Sequence, residues 1–216
     1  MNGQPPHLAS RLLGSALRLG PIRRTLLAAF GRPRGPLGRI GGRMMARANR
    51  SANRWLVELL EIRPGESALD VGCGPGVGIE LLCTITPAGR VVGVDPSDEM
   101  MAQAQARNQA RIRSGVVEIR KAPANQLPFP DMTFDAAMSI NSLQVWPDPH
   151  AGLREIRRVL KPGGRIALGF TSAAGPLPDP AGSLRAAGFE SVRQERRDGD
   201  VAWLATRPPE DRAEMP

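Results

Sequence analysis

The sequence has few cysteines, few histidines and no long apolar run. It contains 2 Cys and 2 His in 216 residues, and no apolar run approaches the roughly 20 residues that a membrane-spanning helix requires. Cys73 and Cys83 are too few for a disulfide framework, so a reducing compartment such as the cytoplasm fits them better. His7 and His150 are far apart in the sequence, and no cluster of metal-ligating side chains is recognisable. We therefore expect neither a metal site nor a histidine-based catalytic centre.

The N-terminal quarter of the chain lacks acidic residues. Residues 1–57 hold 11 Arg and no Asp or Glu, and the whole chain has a formal net charge of +8. Three interpretations remain: a solvated arm, a segment that contacts anionic lipid, or a nucleic-acid-binding segment. Nucleic acid is disfavoured, because this segment has almost no aromatic residues for base stacking. We expect residues 1–42 to form a basic arm, partly helical or disordered, with an anionic membrane surface as its candidate partner.

The overall composition is that of one globular domain. The hydrophobic fraction is 41% and the charged fraction is 23%, both ordinary for a folded protein. A chain of this length can bury one core with appendages but is short for two domains. We place that domain at residues 43–206 and expect a disordered tail over 207–216.

Helix-like and strand-like patterns alternate along the domain. Helical spacing predicts helices at 43–61, 77–85, 98–113, 151–160 and 182–187. Short apolar runs predict strands at 68–71, 90–94, 116–120, 134–140, 165–170, 190–195 and 201–206. The alternation indicates an α/β fold with helices on both faces of a mostly parallel, Rossmann-like doubly wound sheet. The turn Asp198-Gly199 predicts an antiparallel hairpin at the C-terminal edge.

The segment LDVGCGPGVG, residues 69–78, begins in the first predicted strand and contains four glycines. Gly72, Gly74 and Gly76 occupy every second position, and Val77 stands where the dinucleotide fingerprint has its third glycine. The Gly-Lys-Ser/Thr ending of a phosphate loop is also absent. Open parallel sheets bind ligands beyond the carboxyl ends of their strands, so this turn predicts a ligand without a pyrophosphate that lies against bare main chain.

An acidic residue ends the second predicted strand. In VVGVD, Asp95 occupies the position from which a carboxylate accepts two hydrogen bonds from a ribose diol. Ser97 follows as a predicted N-cap of the next helix. Met100, in the first turn of that helix, either packs on an adenine ring or fills the core. Together these features predict a ligand that contains a nucleoside.

Four segments together resemble the successive motifs of class I S-adenosylmethionine-dependent methyltransferases. They are LDVGCGPGVG, VVGVDPSDEM, LPFPDMTFD and VLKPGGRIAL, and the resemblance extends over about residues 43–206. It implies S-adenosyl-L-methionine as the cofactor, with Asp70 ordering the amino end and Asp95 holding the ribose hydroxyls. It also implies cofactor contacts for the glycine turn and for residues near the adenine, which are Gly72, Cys73, Gly74, Gly76, Pro96, Met100, Ala124 and Asn141.

Two departures from the family pattern bear on function. Pro123 replaces the acid that accepts a hydrogen bond from the adenine amino group, which leaves the main chain of Ala124 or the Asn125 side chain as the substitute. In the loop SINSLQVWPD, Gln144 and Val145 replace two histidines, so this loop offers no imidazole base.

The acceptor-side candidates and the expected function follow from the same loop. Asn141, Gln144 and Trp146 are the residues that we expect near the acceptor, and no general base is identified. We expect in-line methyl transfer to a small molecule, lipid-soluble in one interpretation because the basic arm suits a membrane surface, and a cytoplasmic or membrane-peripheral location. A non-catalytic module with this fold is the alternative, and a nucleotide-dependent oxidoreductase is a weaker one.

Overall fold

The fold is known from a computed structural model, which describes residues 47, 49–85, 89–172 and 179–209. Its helices are α1 (Arg50–Leu59), α2 (Val77–Ile85), α3 (Asp98–Arg113), α4 (Pro149–Val159) and α5 (Pro180–Ala186). Its strands are β1 (Ala68–Val71), β2 (Val91–Asp95), β3 (Val117–Lys121), β4 (Phe134–Ile140), β5 (Leu160–Phe170), β6 (Glu190–Arg197) and β7 (Asp200–Thr206). The predicted arm at 1–42 and residues 210–216 of the predicted tail lie outside the described residues.

The seven strands form one sheet in the order β3-β2-β1-β4-β5-β7-β6. Strands β1 to β5 pair in parallel, whereas β7 is antiparallel to both β5 and β6. The predicted fold class is therefore confirmed, including the antiparallel hairpin at the C-terminal edge. The strand order reverses between β1 and β4, and such a switch point opens a crevice at the carboxyl ends of the strands.

Side chains that alternate along the strands divide the core between the two faces of the sheet. Ala68, Ala136 and Met138 pack with apolar residues of α1 and α2 on one face. Leu69 and Val71 pack with α4 on the other. Because successive strand residues point to opposite faces, the carboxylate of Asp70, between Leu69 and Val71, lies on the α1 and α2 side.

Local interactions explain where the observed elements begin. Helix α4 begins at Pro149 rather than at 151, because the Asp148 side chain accepts a 2.9 Å hydrogen bond from Ala151 N–H and a proline suits the first helical turn. Strand β5 begins at Leu160 rather than at 165, because Leu160 pairs with Phe134 before a register shift in the ladder. The predicted bounds of α3 and β4 coincide with the observed ones.

Ordered contacts continue just past residue 206, where the predicted domain ends. The main-chain N–H of Arg207 donates to Gly164 O at 2.8 Å. Its guanidinium donates to the carbonyl oxygens of Arg157 and Arg158 at 3.1 and 3.2 Å, at the C-terminal end of α4. The first residue of the predicted tail thus belongs to the packed domain.

Candidate active site

The turn between β1 and α2 is a tight main-chain loop fixed to the end of β2. Gly72 and Cys73 both donate their N–H groups to Val94 O, at 2.8 and 3.0 Å. The φ angles of Gly72, Gly74 and Gly76 are +72°, +50° and +78°. L-residues with side chains avoid this region, so the alternation of glycines reflects the path of the backbone.

The three glycines differ in how closely other residues approach them. A Cβ atom on Gly72 would lie 2.8 Å from Ser142 Cβ and closer still to its hydroxyl oxygen. A Cβ on Gly76 would lie 2.7 Å from Asn108 Nδ2 and 2.9 Å from Ala104. At Gly74 no heavy atom lies within 4 Å of the corresponding point among the described residues. The turn is thus packed at both ends and open at its centre.

Asp95 joins the glycine turn to the end of β2. Its side chain is 7% exposed, and its Oδ2 accepts the Gly74 N–H at 3.0 Å while its Oδ1 accepts the Ser97 N–H at 2.8 Å. Desolvation raises the pKa of Asp95, and these two N–H groups oppose the shift. Because a carboxylate has about four lone-pair sites, each oxygen keeps capacity for a hydroxyl of a diol.

Asp70 is the second carboxylate of the site and is 1% exposed. Its Oδ1 has no hydrogen-bond partner within the described parts of the chain. Burial first, and then the charge of Asp95, raise the pKa of Asp70 to about 7. A buried carboxylate without a partner is costly, so this group fits a ligand that brings positive charge and N–H donors.

Three further predicted residues border the turn in different ways. The Cys73 thiol is buried against Gly93, where a Cβ would lie 3.0 Å from its sulfur, so only the main chain of Cys73 faces the turn. Burial raises the pKa of this thiol well above its usual value. Pro96 is exposed beside Asp95. Met100 is 3% exposed, as expected of a side chain that fills the core. Its contact with adenine stays a prediction.

The loop after β4 holds the predicted acceptor-side residues. The Asn141 side chain donates to Thr171 Oγ1 at 2.9 Å and accepts the Thr171 N–H at 2.9 Å, which joins the ends of β4 and β5. Asn141 has a φ of +50°. Gln144 is half-buried, and its Oε1 has no partner among the residues that the structure describes.

Trp146 is half-buried, and its indole lies between the glycine turn and α4. Its Nε1–H donates to Ser142 Oγ at 2.8 Å. A Cβ on Gly152 would lie 2.6 Å from its six-membered ring and 3.3 Å from the Ala124 Cβ, so all three residues meet at one place. Ala124 thus lies beside Trp146 and α4, and its contact with adenine stays a prediction.

Helix α3 supports the glycine turn from behind, a feature that sequence reasoning missed. Asn108 Nδ2 donates to Gly76 O at 3.1 Å and to Ala104 O at 3.0 Å, and Arg107 Nε donates to Pro75 O at 2.8 Å. Asn108 is 1% exposed and has non-helical dihedral angles. The only sequence signal was an asparagine inside a helix, where its propensity is poor.

Known proteins match this arrangement. A family model described as a methyltransferase domain matches residues 69–168. The uncharacterised methyltransferase YdaC of Bacillus subtilis is 30% identical, and the alignment covers 71% of this chain and 87% of that protein. The chain belongs to the class I S-adenosylmethionine-dependent methyltransferases. The sequence-based recognition is thus confirmed, and the family's cofactor, S-adenosylmethionine, is the ligand class that the glycine turn and Asp95 predicted.

Other relatives of this methyltransferase are longer. An uncharacterised 37.1 kDa protein of a Streptomyces fradiae transposon is 42% identical over 56% of this chain but only 35% of its own length. The demethylmenaquinone methyltransferase of Desulfitobacterium hafniense is 34% identical over 51% of this chain and 44% of its own. The chain therefore spans less than half of these two proteins. A solved S-adenosylmethionine-dependent methyltransferase from Aquifex aeolicus shares the fold, with a TM-score of 0.66, 22% identity, and 78% and 98% of the two chains covered.

Proposed function

We propose that this methyltransferase transfers a methyl group from S-adenosylmethionine to a small-molecule acceptor. The observation that carries the proposal is the hydrogen bond from Gly74 N–H to Asp95, with the buried Asp70 carboxylate on the other side of the same turn. Asp95 would accept hydrogen bonds from a ribose diol, and Asp70 would face a positively charged amino end. The cofactor supplies a methyl group on a positively charged sulfur.

The chain's own residues would bind the cofactor along the open centre of the turn. Asp95 would accept hydrogen bonds from the ribose, and the main chain of Gly72 and Gly74 would lie along the methionine part. Pro96, Met100 and Ala124 would border the adenine, and Asn141 would lie where the methyl group is presented. Because the amide of Asn141 is already fixed by Thr171, its position is set before a ligand binds.

The acceptor side offers alignment rather than a strong base. Gln144 and Val145 stand where the family has histidines, and the exposed His150 lies beyond the loop at the start of α4. Alignment of the acceptor with the methyl group and exclusion of water would supply most of the acceleration of an in-line displacement. This arrangement suits an acceptor whose nucleophilic atom needs little help to lose a proton.

A lipid-soluble acceptor is the finer part of the proposal. Val145, on the loop after β4, is 43% exposed, and the N-terminal 57 residues carry 11 Arg and no acid. The Desulfitobacterium relative is named for demethylmenaquinone. No helix within the described ranges is both long and apolar enough to span a bilayer. We therefore propose a cytoplasmic protein that meets its acceptor at an anionic membrane surface, which sedimentation with anionic and neutral vesicles at two salt concentrations would test.

A non-catalytic module with this fold is the second candidate. The observation that favours it is that the Asn141 amide is engaged with Thr171 and the loop has no imidazole. Tight binding of S-adenosylmethionine without turnover of any acceptor in a broad panel would favour this candidate.

One experiment tests the leading proposal. Calorimetry with S-adenosylmethionine and S-adenosylhomocysteine would measure binding. Incubation of the protein and isotopically labelled cofactor with a cell extract, followed by mass spectrometry, would detect products heavier by one labelled methyl group. Binding with labelled products supports the methyltransferase, and a failure to bind either compound contradicts it.

A further inference from the structure

Strand β3 is one edge of the sheet, and half of its main chain faces away from β2. Hydrogen bonds at its two ends show which half. Val91 N–H donates to Val116 O at 3.0 Å, and Ala122 N–H donates to Asp95 O at 3.4 Å. Residues whose main chain bonds to one neighbour alternate along a strand, so the even-numbered residues of β3 face β2. The main-chain N–H and C=O of Ile119 therefore point outward, and no described residue bonds to them.

An open groove of about 520 Å³ lies between this edge and α3. Ile112 and Ile119 line it as half-buried residues at the margin of the core, and Ala102 and Ala106 line it from the exposed side of α3. Small side chains allow another helix to approach closely, and apolar surface is stabilised when another molecule covers it. The arginine-rich N-terminal segment is a poor occupant, because Arg113 borders the same groove.

The opposite face of β3 carries Glu118 and Arg120. Their side chains are 34% and 41% exposed, and Arg120 packs on Phe129, with its guanidinium 5.0 Å from the ring centre. Glu118 accepts hydrogen bonds from Arg90 and Arg120 of its own chain. A carboxylate has about four lone-pair sites, so Glu118 keeps capacity for a further donor beyond the edge.

The order of these two charges makes the edge complementary to itself in one register. An antiparallel copy of β3 centred on Ile119 would place Glu118 opposite Arg120 of the second copy, and Arg120 opposite Glu118. A shift of the centre by one residue in either direction would place Glu118 or Arg120 opposite itself. Opposite charges across a ladder are stabilising and like charges are destabilising, so the centre at Ile119 is favoured.

We propose that the chain forms a two-fold symmetric dimer in which β3 pairs antiparallel with β3 of a second copy, centred on Ile119. The outward N–H and C=O of Ile119 would exchange both hydrogen bonds with Ile119 of that copy. The paired segment is short, because Val117 is only 4% exposed, and the two α3 helices would cover the grooves beside it. A two-fold contact closes at two chains. The dimer goes beyond the proposed function and does not depend on cofactor binding.

The other edge of the sheet, β6, is less suited to such pairing. Its ladder with β7 shifts register between Glu190 and Arg193, and Ser191 has a φ of +52°. A bulge of this kind twists an edge strand and interrupts its row of free main-chain groups. The ladder between β2 and β3 has a continuous register, so β3 is the regular edge.

Charge reversal on β3 tests the dimer and its register together. Glu118→Arg leaves positive charges at both positions, and Arg120→Glu leaves negative charges at both. In analytical ultracentrifugation we expect the wild type to sediment as a dimer, and the Kd for self-association of each variant to rise about 10-fold or more. An equimolar mixture of the two variants should dimerise again, because each reversed position then faces an opposite charge. Recovery in the mixture also shows that both variants are folded.

The matched control is the same pair of reversals on the other edge strand. Arg193 and Glu195 are also two positions apart, with Arg193 Nε 3.8 Å from Glu195 Oε1 on β6. Arg193→Glu and Glu195→Arg should each dimerise as the wild type does. Amide hydrogen exchange gives a second measurement. On dilution to monomer the Ile119 amide should exchange about 10-fold faster or more, whereas the Arg120 amide, which faces β2, should change by less than about twofold.

The outcomes decide between this interface and its alternatives. Variants that are monomeric alone and dimeric when mixed, with an Ile119 amide that responds to dilution, would establish the interface. A wild type that stays monomeric at about 100 μM would overturn the proposal, as would single variants that dimerise like the wild type or a mixture that stays monomeric. A dimer whose Ile119 amide exchanges rapidly would place the contact on another surface. Failure to bind S-adenosylhomocysteine would contradict the proposed function and leave the dimer unaffected.

Discussion

The indole N–H of Trp146 donates a 2.8 Å hydrogen bond to the hydroxyl of Ser142, and that hydroxyl lies directly against Gly72. The bond holds Ser142, which lies against the first residue of the glycine turn, to a side chain packed beside α4. Because Ser142 is 8% exposed and held by Trp146, the path of the glycine turn depends on the loop after β4. A rigid turn is what a ligand bound through main-chain contacts requires.

Trp146→Phe tests this support. Phenylalanine keeps most of the ring packing on Gly152 but cannot donate to Ser142. We expect the Kd for S-adenosylhomocysteine to rise about 2- to 10-fold, the equivalent of one ordinary hydrogen bond. Calorimetry measures this change, and Trp203→Phe, in β7, is the aromatic control. A Kd that matches the wild type would show that the bond does not support the turn.

Gly72→Ala should disrupt the site through two separable effects. The new Cβ would clash with Ser142 and would be placed at a φ of +72°. We expect cofactor binding to be lost and the free energy of unfolding to fall by about 2 kcal/mol or more. Adding Ser142→Gly should relieve the clash and leave the cost of the φ angle, about 1 kcal/mol, together with the loss of the Trp146 hydrogen bond.

The control for this pair is Gly65→Ala. Gly65 has a φ of +87° but no described atom within 4 Å of its Cβ position, so only the cost of the φ angle applies. Urea denaturation of the three variants compares the two effects. Additive losses in the double variant would contradict a steric role for Ser142.

Asp70 should make stability depend on pH. Burial, and secondarily Asp95, raise the pKa of Asp70 to about 7, above the value of about 3.9 in an unfolded chain. The folded state binds this proton more tightly, so the stabilisation is full below pH about 4 and is lost as the pH rises towards about 7. We expect a contribution of roughly 1 kcal/mol per pH unit over that window, which Asp70→Asn should remove.

Urea denaturation without cofactor, at several pH values between about 4.5 and 8, measures this slope. Asp95, whose pKa is also raised, contributes in the same direction in both proteins, so the difference between wild type and variant isolates Asp70. A cationic ammonium favours the ionised carboxylate, and cofactor affinity should therefore increase as the pH rises through about 7. Equal slopes in the two proteins would refute the assignment of this titration to Asp70.

Asn108→Ala should loosen the glycine turn from behind. The variant loses two hydrogen bonds and leaves Gly76 O without its side-chain donor, although it also removes Asn108 Oδ1, which has no partner within the described part of the chain. We expect a net loss of about 1–2 kcal/mol in the free energy of unfolding and weaker cofactor binding. Gln109→Ala, on the exposed side of α3, serves as the control in urea denaturation and calorimetry. Unchanged stability of Asn108→Ala would show that α3 does not support the glycine turn.

The fold and the floor of the crevice could be predicted from the sequence because their signals are local. The bounds of α3 follow from a serine N-cap and a helical pattern, and the Asp95 position follows from the acid that ends the second strand, VVGVD. Both signals are contained in a few neighbouring residues.

The surroundings of the crevice could not be predicted, because they depend on contacts between distant residues. Asn53 and Asp70 both come against Gly78 only after α1 packs over α2, and Asn141 meets Thr171 only after β4 and β5 pair. Trp146 was expected near the acceptor, and its bond to Ser142 depends on a ring position that only a glycine at 152 permits. Such contacts leave no periodic trace in the sequence.

Calorimetric titration of S-adenosylmethionine into the wild type and Asp95→Ala tests the central claim most directly. Asp95 binds the turn at Gly74 and faces the ribose in this account, so its removal should weaken binding about 10- to 100-fold. Wild-type binding together with that loss would support a nucleoside held by this carboxylate. Undiminished binding by Asp95→Ala, or no binding by the wild type, would contradict the account.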